Sequence, residues 1–150
     1  MSHVSDLQCR IRDLDAAETV LAERFPHLEL RRGQRQHAWW GSFVGDSTPP
    51  AGRDPKDYGT CEHALAIPGD REAYEAGLVA ALDGDGYDIL CDTWGPGRKT
   101  AARLDKLRQE YAVAVTLKAA RAKLARQGYT AAREDLPNGR VRVRLVRRGR

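Results

Sequence analysis

Tyr87-Asp88-Ile89-Leu90-Cys91-Asp92, followed by the break Thr93-Trp94-Gly95-Pro96-Gly97, decides the fold. The first six residues read as a strand, and the glycines and proline behind them end it. From residue 100 to residue 127 Ala, Leu, Lys, Arg, Gln and Glu dominate, with neither Pro nor Gly. That predicts one unbroken helix of roughly 40 Å, stopped by Gly128.

Working outward, Asp83-Gly84-Asp85-Gly86 predicts a hairpin turn into the Tyr87 strand, with short strands at 61–67 and 73–82 before it. Residues 46–60 carry Pro49, Pro50, Pro55 and two glycines, so they form a surface loop. Residues 27–32 and 36–44 read as two strands around Gly33. At the N-terminus a strand over 2–11 precedes a helix opened by Asp15 and Glu18, with Leu14, Ala17, Leu21 and Phe25 on one stripe and Pro26 at its end. After the long helix, Asn138-Gly139 joins strands at 129–136 and 141–146. The expected fold is α+β in one domain with a loop-rich insertion at about 45–60. A mostly antiparallel sheet of seven or eight strands carries two helices on one face, in a ferredoxin-like-related order.

The long helix carries two apolar stripes, Leu104, Leu107, Tyr111, Val115 and Ala122 on one side, and Val113, Leu117, Ala120 and Leu124 nearly opposite. Two stripes need two things to pack against. A bend near Ala112, a covering loop, or a second copy in a homodimer each satisfies that need.

Charge is unevenly distributed. Residues 1–97 hold 9 Lys/Arg against 17 Asp/Glu, a net −8, whereas residues 98–150 hold 16 against 4, a net +12. Such a polarity fits either an anion-binding face or two segments that neutralise each other. Three scattered cysteines, Cys9, Cys61 and Cys91, argue against a disulfide framework and for a reducing cytoplasm. The N-terminus does not read as a secretory leader, and no apolar run reaches the length of a membrane span.

Met1-Ser2-His3-Val4, Tyr87-Asp88-Ile89 leading into Asp92-Thr93-Trp94-Gly95, and Gln109-Glu110-Tyr111-Ala112 form a recurring order, completed by Gln127-Gly128-Tyr129 and Pro137-Asn138-Gly139. In that order the chain resembles the family known as the thirty-fifth hypothetical chloroplast open reading frame. Its members occur in photosynthetic bacteria and plastid genomes, with relatives in other bacteria and in phages. The resemblance covers the N-terminal strand and helix and nearly everything after Tyr74. Trp39-Trp40 and the loop to Thr60 look like an insertion relative to the shortest members, and family members often carry two tryptophans where this chain has Thr93-Trp94. The resemblance implies a compact α+β protein and brings no enzymatic activity with it.

Several motifs offer candidate sites. Asp83-Gly84-Asp85-Gly86 fails the calcium-loop count, since Asp88 and Trp94 fall where Gly and Glu are needed. Residues 95–100, Gly-Pro-Gly-Arg-Lys-Thr, sit before a helix as a phosphate loop would, with Arg98 and Lys99 as candidate contacts. A Walker A loop, however, needs glycine where Arg98 and Thr93 stand. Cys61, His63, Cys91 and His3 lack zinc spacing, and no partner orients Cys61 and His63 as a nucleophile pair. Arg140, Arg142 and Arg144 alternate with Val141, Val143 and Leu145, which lines up guanidiniums on one strand face, suited to nucleic acid or to a guarded sheet edge. Trp39 and Trp40 point to opposite faces of a strand, so one is left for a protein interface or a base stack. No nucleophile, base and oxyanion donor come together, and no cofactor motif is present. The expectation is a non-catalytic accessory protein that binds another protein, off the membrane. A nucleic-acid-binding protein using the arginine strand is the first alternative, and a nucleotide-binding protein using the glycine loop the second.

Overall fold

The computed structural model describes residues 2–149. The chain divides into two compact units, residues up to 108 and residues from 109 onward.

The first unit contains β1 (Val4–Ile11), α1 (Leu14–Arg24), β2 (Glu29–Arg32), β3 (His63–Ala66), β4 (Ala76–Ala80), β5 (Tyr87–Asp92) and α2 (Gly97–Arg103). Its five strands form one antiparallel sheet in the order β1-β5-β4-β3-β2. β1 and β2, joined by α1, therefore lie at opposite edges. Leu78 pairs with Ile89 across the central strands, and both are fully buried, with Ile11, Leu65 and Cys91. Burying each such aliphatic side chain stabilises the fold by about 1.5–3 kcal/mol. α1 begins two residues earlier than the Asp15 signal implies. Asp13 is its cap, accepting from the Ala16 N–H at 2.9 Å, and Asp15 and Glu18 instead hold Arg32. Ala16, Ala17, Val20 and Leu21 face the core, and Phe25, ahead of Pro26, closes the helix.

The Asp83–Gly86 turn forms as expected: Ala81 N–H bonds the Gly86 carbonyl at 2.9 Å. Pairing of β1 with β5 slips between Asp6 and Arg10, where Gln8 adopts φ 55° and its N–H donates to Asp6 at 2.8 Å. This is a bulge.

Residues 36–44 do not form the expected strand. Only Gln36 bridges to Thr60, and the segment is held by isolated backbone bonds, His37 N–H to the Gly59 carbonyl and Glu75 N–H to the Ala38 carbonyl, together with side chains. The expected helix over 100–127 is also interrupted. Leu104 N–H reaches both the Thr100 and Ala101 carbonyls, and Leu107 N–H closes on Leu104. These tight turns end α2, and α3 (Leu107–Leu124) starts afresh with Leu104 and Leu107 both buried.

The second unit comprises α3 from residue 109, β6 (Tyr129–Asp135) and β7 (Val141–Arg147). Gly128 ends the helical segment at φ 74°. β6 and β7 form a separate two-stranded antiparallel sheet, so the seven strands divide five and two. Their connection uses the Asn138-Gly139 pair as read: both have φ near 70°, a region that Asn and Gly reach cheaply. The α+β class, the antiparallel pairing and the long helix in the C-terminal half are as the sequence predicts. Among the described residues no helix is long and apolar enough to cross a membrane.

Candidate interaction surface

Two carboxylates, both among the few buried charged groups of the first unit, organise its most unusual surface. Asp92 ends β5. Its Oδ1 accepts from the His3 N–H at 3.1 Å and the Trp94 N–H at 2.9 Å, while Oδ2 accepts from the Trp39 indole at 2.9 Å. Glu75 precedes β4. Its two oxygens take Arg31 at 2.5 Å, Gln34 at 2.5 Å and the Ala38 N–H at 2.7 Å. A buried carboxylate is tolerated only when donors saturate it, and Gln34, Ala38 and Trp39, from a segment with no strand of its own, supply part of that saturation. The two acids therefore help to hold residues 34–39 where a ladder is missing. Trp39 rests edge-on against Tyr58 at 5.6 Å, which fastens the far side of the loop.

Anchoring Trp39 inward turns its neighbour outward. Trp40 is 59% exposed, yet its ring is held edge-on by Tyr74 at 5.0 Å. Tyr74 in turn donates its backbone N–H to the Pro96 carbonyl, beside Trp94. Trp94, 37% exposed, carries the Arg98 guanidinium 4.8 Å above its ring and His3 at 5.4 Å. Asp92 thus anchors His3 and Trp94, with Arg98 stacked on the Trp94 ring, while Trp40 rests on Tyr74, which is bonded to Pro96 of the same turn. Gly97 makes this possible: a Cβ there would lie 2.0 Å from the Asp92 carbonyl oxygen.

The other sequence-derived candidates fall elsewhere. In residues 95–100 the Gly97 and Arg98 N–H groups turn back onto Trp94 and Gly95, Lys99 pairs with Asp70 at 3.1 Å, and the buried Thr100 hydroxyl donates to the Tyr74 carbonyl. Cys61 donates to the Gln34 carbonyl at 2.9 Å, while His63 accepts from the Gly33 N–H. His3 pairs with Asp46. Cys91 lies in the core, so these four side chains do not form a common ligand set. Burial pushes the thiols up, to about 11 for Cys9 and Cys61 and about 12 for Cys91, which keeps them protonated.

Arg140, Arg142 and Arg144 are exposed on the second unit, and Arg142 lies 3.6 Å from Glu134. Of the first apolar stripe Leu104, Leu107 and Tyr111 are buried and Val115 half-buried, whereas Ala122 is exposed. The second stripe, Val113, Leu117, Ala120 and Leu124, is half-buried.

What the sequence missed is Glu75, Asp92, Tyr74 and their organising role. Their signal was present: Glu75 and Asp92 are lone acids flanking apolar strand runs, the positions where a charge is costly unless used. Comparison of the chain with family models, with curated proteins and with solved structures returns no match.

Proposed function

We propose that this protein is a non-catalytic accessory protein that binds another protein through Trp40, Trp94 and Arg98, with the buried Tyr74 supporting Trp40. The observation that carries this reading is Trp40, an indole fixed by an aromatic neighbour and still 59% exposed. Rigid, exposed aromatics lose little entropy on association, and with arginine they are the side chains that dominate interface energies. The absence of catalysis is part of the proposal. Its support is that the buried acids are saturated by structural hydrogen bonds and the thiols are held protonated. A cytoplasmic setting belongs to the same reading, supported by three free, buried cysteines. So does membership of the open-reading-frame family, supported by the recurring residue order.

The test is affinity capture from native lysate with the wild-type chain beside Trp40→Ala/Trp94→Ala. A protein retained by the wild type should fall by at least about tenfold with the double variant, as two interface anchors of ~1–2 kcal/mol each require. Equal retention by a double variant with unchanged thermal stability refutes the aromatic surface.

A further inference from the structure

The β6–β7 register sorts the hairpin side chains onto two faces. Tyr129, Ala131, Arg133 and Asp135 lie opposite Arg147, Leu145, Val143 and Val141. Within the second unit α3 lies against this face. Arg133 forms a two-pronged pair with Glu110 at 2.5 and 3.0 Å, Arg121 donates to the Ala131 carbonyl, and Ala131 is buried. The reverse face carries Thr130, Ala132 and Glu134 on β6 opposite Val146, Arg144 and Arg142, with Arg140 continuing the row. The β6 residues there are short except Glu134, so the exposed arginines stand above their neighbours. Among the described residues Arg140 and Arg144 have no ion-pair partner, and Arg142 has only the 3.6 Å approach to Glu134. The unit as a whole holds 11 Lys/Arg against 3 Asp/Glu.

We propose that this open hairpin face binds the phosphate backbone of duplex nucleic acid, without reading its sequence, through Arg140, Arg142 and Arg144. Alternate strand residues repeat at about 6.7 Å, so the three guanidiniums form a straight, evenly spaced row. Guanidinium is the side chain best matched to phosphate, by charge and by its planar fork. A two-stranded ribbon is one of the two elements a duplex major groove admits. The arginine face bears no aromatic residue, which removes the stacking platform that single strands need. Charge also excludes a second copy at this edge: antiparallel pairing of two β7 strands would place arginine against arginine.

The experiment is fluorescence anisotropy of the full chain with a labelled duplex of about 30 base pairs over a salt series. Three phosphate contacts predict a slope of about −2.7 in log affinity against log salt, roughly a 40-fold loss between about 50 and 200 mM. Arg140→Gln/Arg142→Gln/Arg144→Gln should lose that binding, and the corresponding triple lysine variant should keep the slope. If the glutamine triple fails to fold, each single glutamine variant should lower the slope by about 0.9, and unchanged slopes overturn the proposal. It is equally overturned by duplex binding that survives in a folded glutamine triple, or by tighter binding of a single strand of equal length. Equal affinity for polyglutamate, lost in the same variant, would assign the face to an acidic protein and overturn it too.

Discussion

The two units use charge in opposite ways. In the first, arginines are tied to acids: Arg10 to Asp83 and Asp88, Arg12 to Asp85, Arg32 to Asp15 and Glu18, and Arg53 to Asp88. These pairs lie on a sheet whose central strands completely bury Leu78 and Ile89. The second unit has one comparable anchor, Arg133 with Glu110, and among its described residues only Tyr111 and Ala131 are buried. Leu145 there is 59% exposed. Packing density and charge pairing fall together, which teaches that the first unit spends its ions on holding shape while the second leaves them available to solvent.

The largest effect that tests this contrast is in the core. Ile89→Ala should cost about 3–5 kcal/mol, seen as a lowered urea midpoint, since it empties a fully enclosed site. A cost under about 1 kcal/mol would erase the difference between the units. Asp92→Ala comes next, at about 3 kcal/mol, because it strands the donors of His3, Trp39 and Trp94 together. Tryptophan fluorescence should shift red as Trp39 loosens, and an unchanged spectrum would remove Asp92 from its organising place.

Acid sharpens the comparison further. Burial holds the His37 imidazole at about 4 against a free value of 6.5, with the Glu75 charge opposing only in part. Above pH 6.5 neither the folded nor the unfolded chain takes up the proton. Between 6.5 and about 4 the unfolded chain takes it and the folded chain does not, so stability is lost as pH falls through that window. The loss reaches about 3 kcal/mol. Denaturation midpoints of wild type and His37→Gln should diverge as pH falls, with the variant losing less, and parallel curves would contradict it. In the second unit, Arg133→Ala should cost about 1–3 kcal/mol by leaving the half-buried Glu110 without its two-pronged partner. Hydrogen exchange in β6 and β7 should accelerate in that variant and stay unchanged in β4 and β5. Smallest of all, Leu145→Ala should lie within about 0.5 kcal/mol of wild type. A larger cost would mean that this edge is covered in solution.

Local chemistry explains what the sequence made legible. Asn138-Gly139 could be read because positive φ at two adjacent positions restricts the residues that serve there. The Asp83–Gly86 turn and the Gly128 stop were legible for the same reason. The interruption after Leu104 was not, since no glycine or proline marks it and its cause is the burial of two leucines. Residues 36–44 resembled a strand by composition, but their partners are the carboxylates of Glu75 and Asp92, distant in sequence. For the candidate surface, Trp40 and Arg98 were visible by residue type alone. Their contacts with Tyr74 and Trp94 emerge only when three segments meet.

The slip at Gln8 has a consequence for life at high concentration. β1 is an edge strand, and such edges invite strands from other molecules to extend the sheet. A growing fibril needs an unbroken ladder, yet five residues of β1, Asp6 to Arg10, face only three on β5, Asp88 to Leu90. Any incoming strand would fall out of step at that point. The distortion thus works as a terminator at the β1 edge, opposing amyloid-like extension of the sheet on that side.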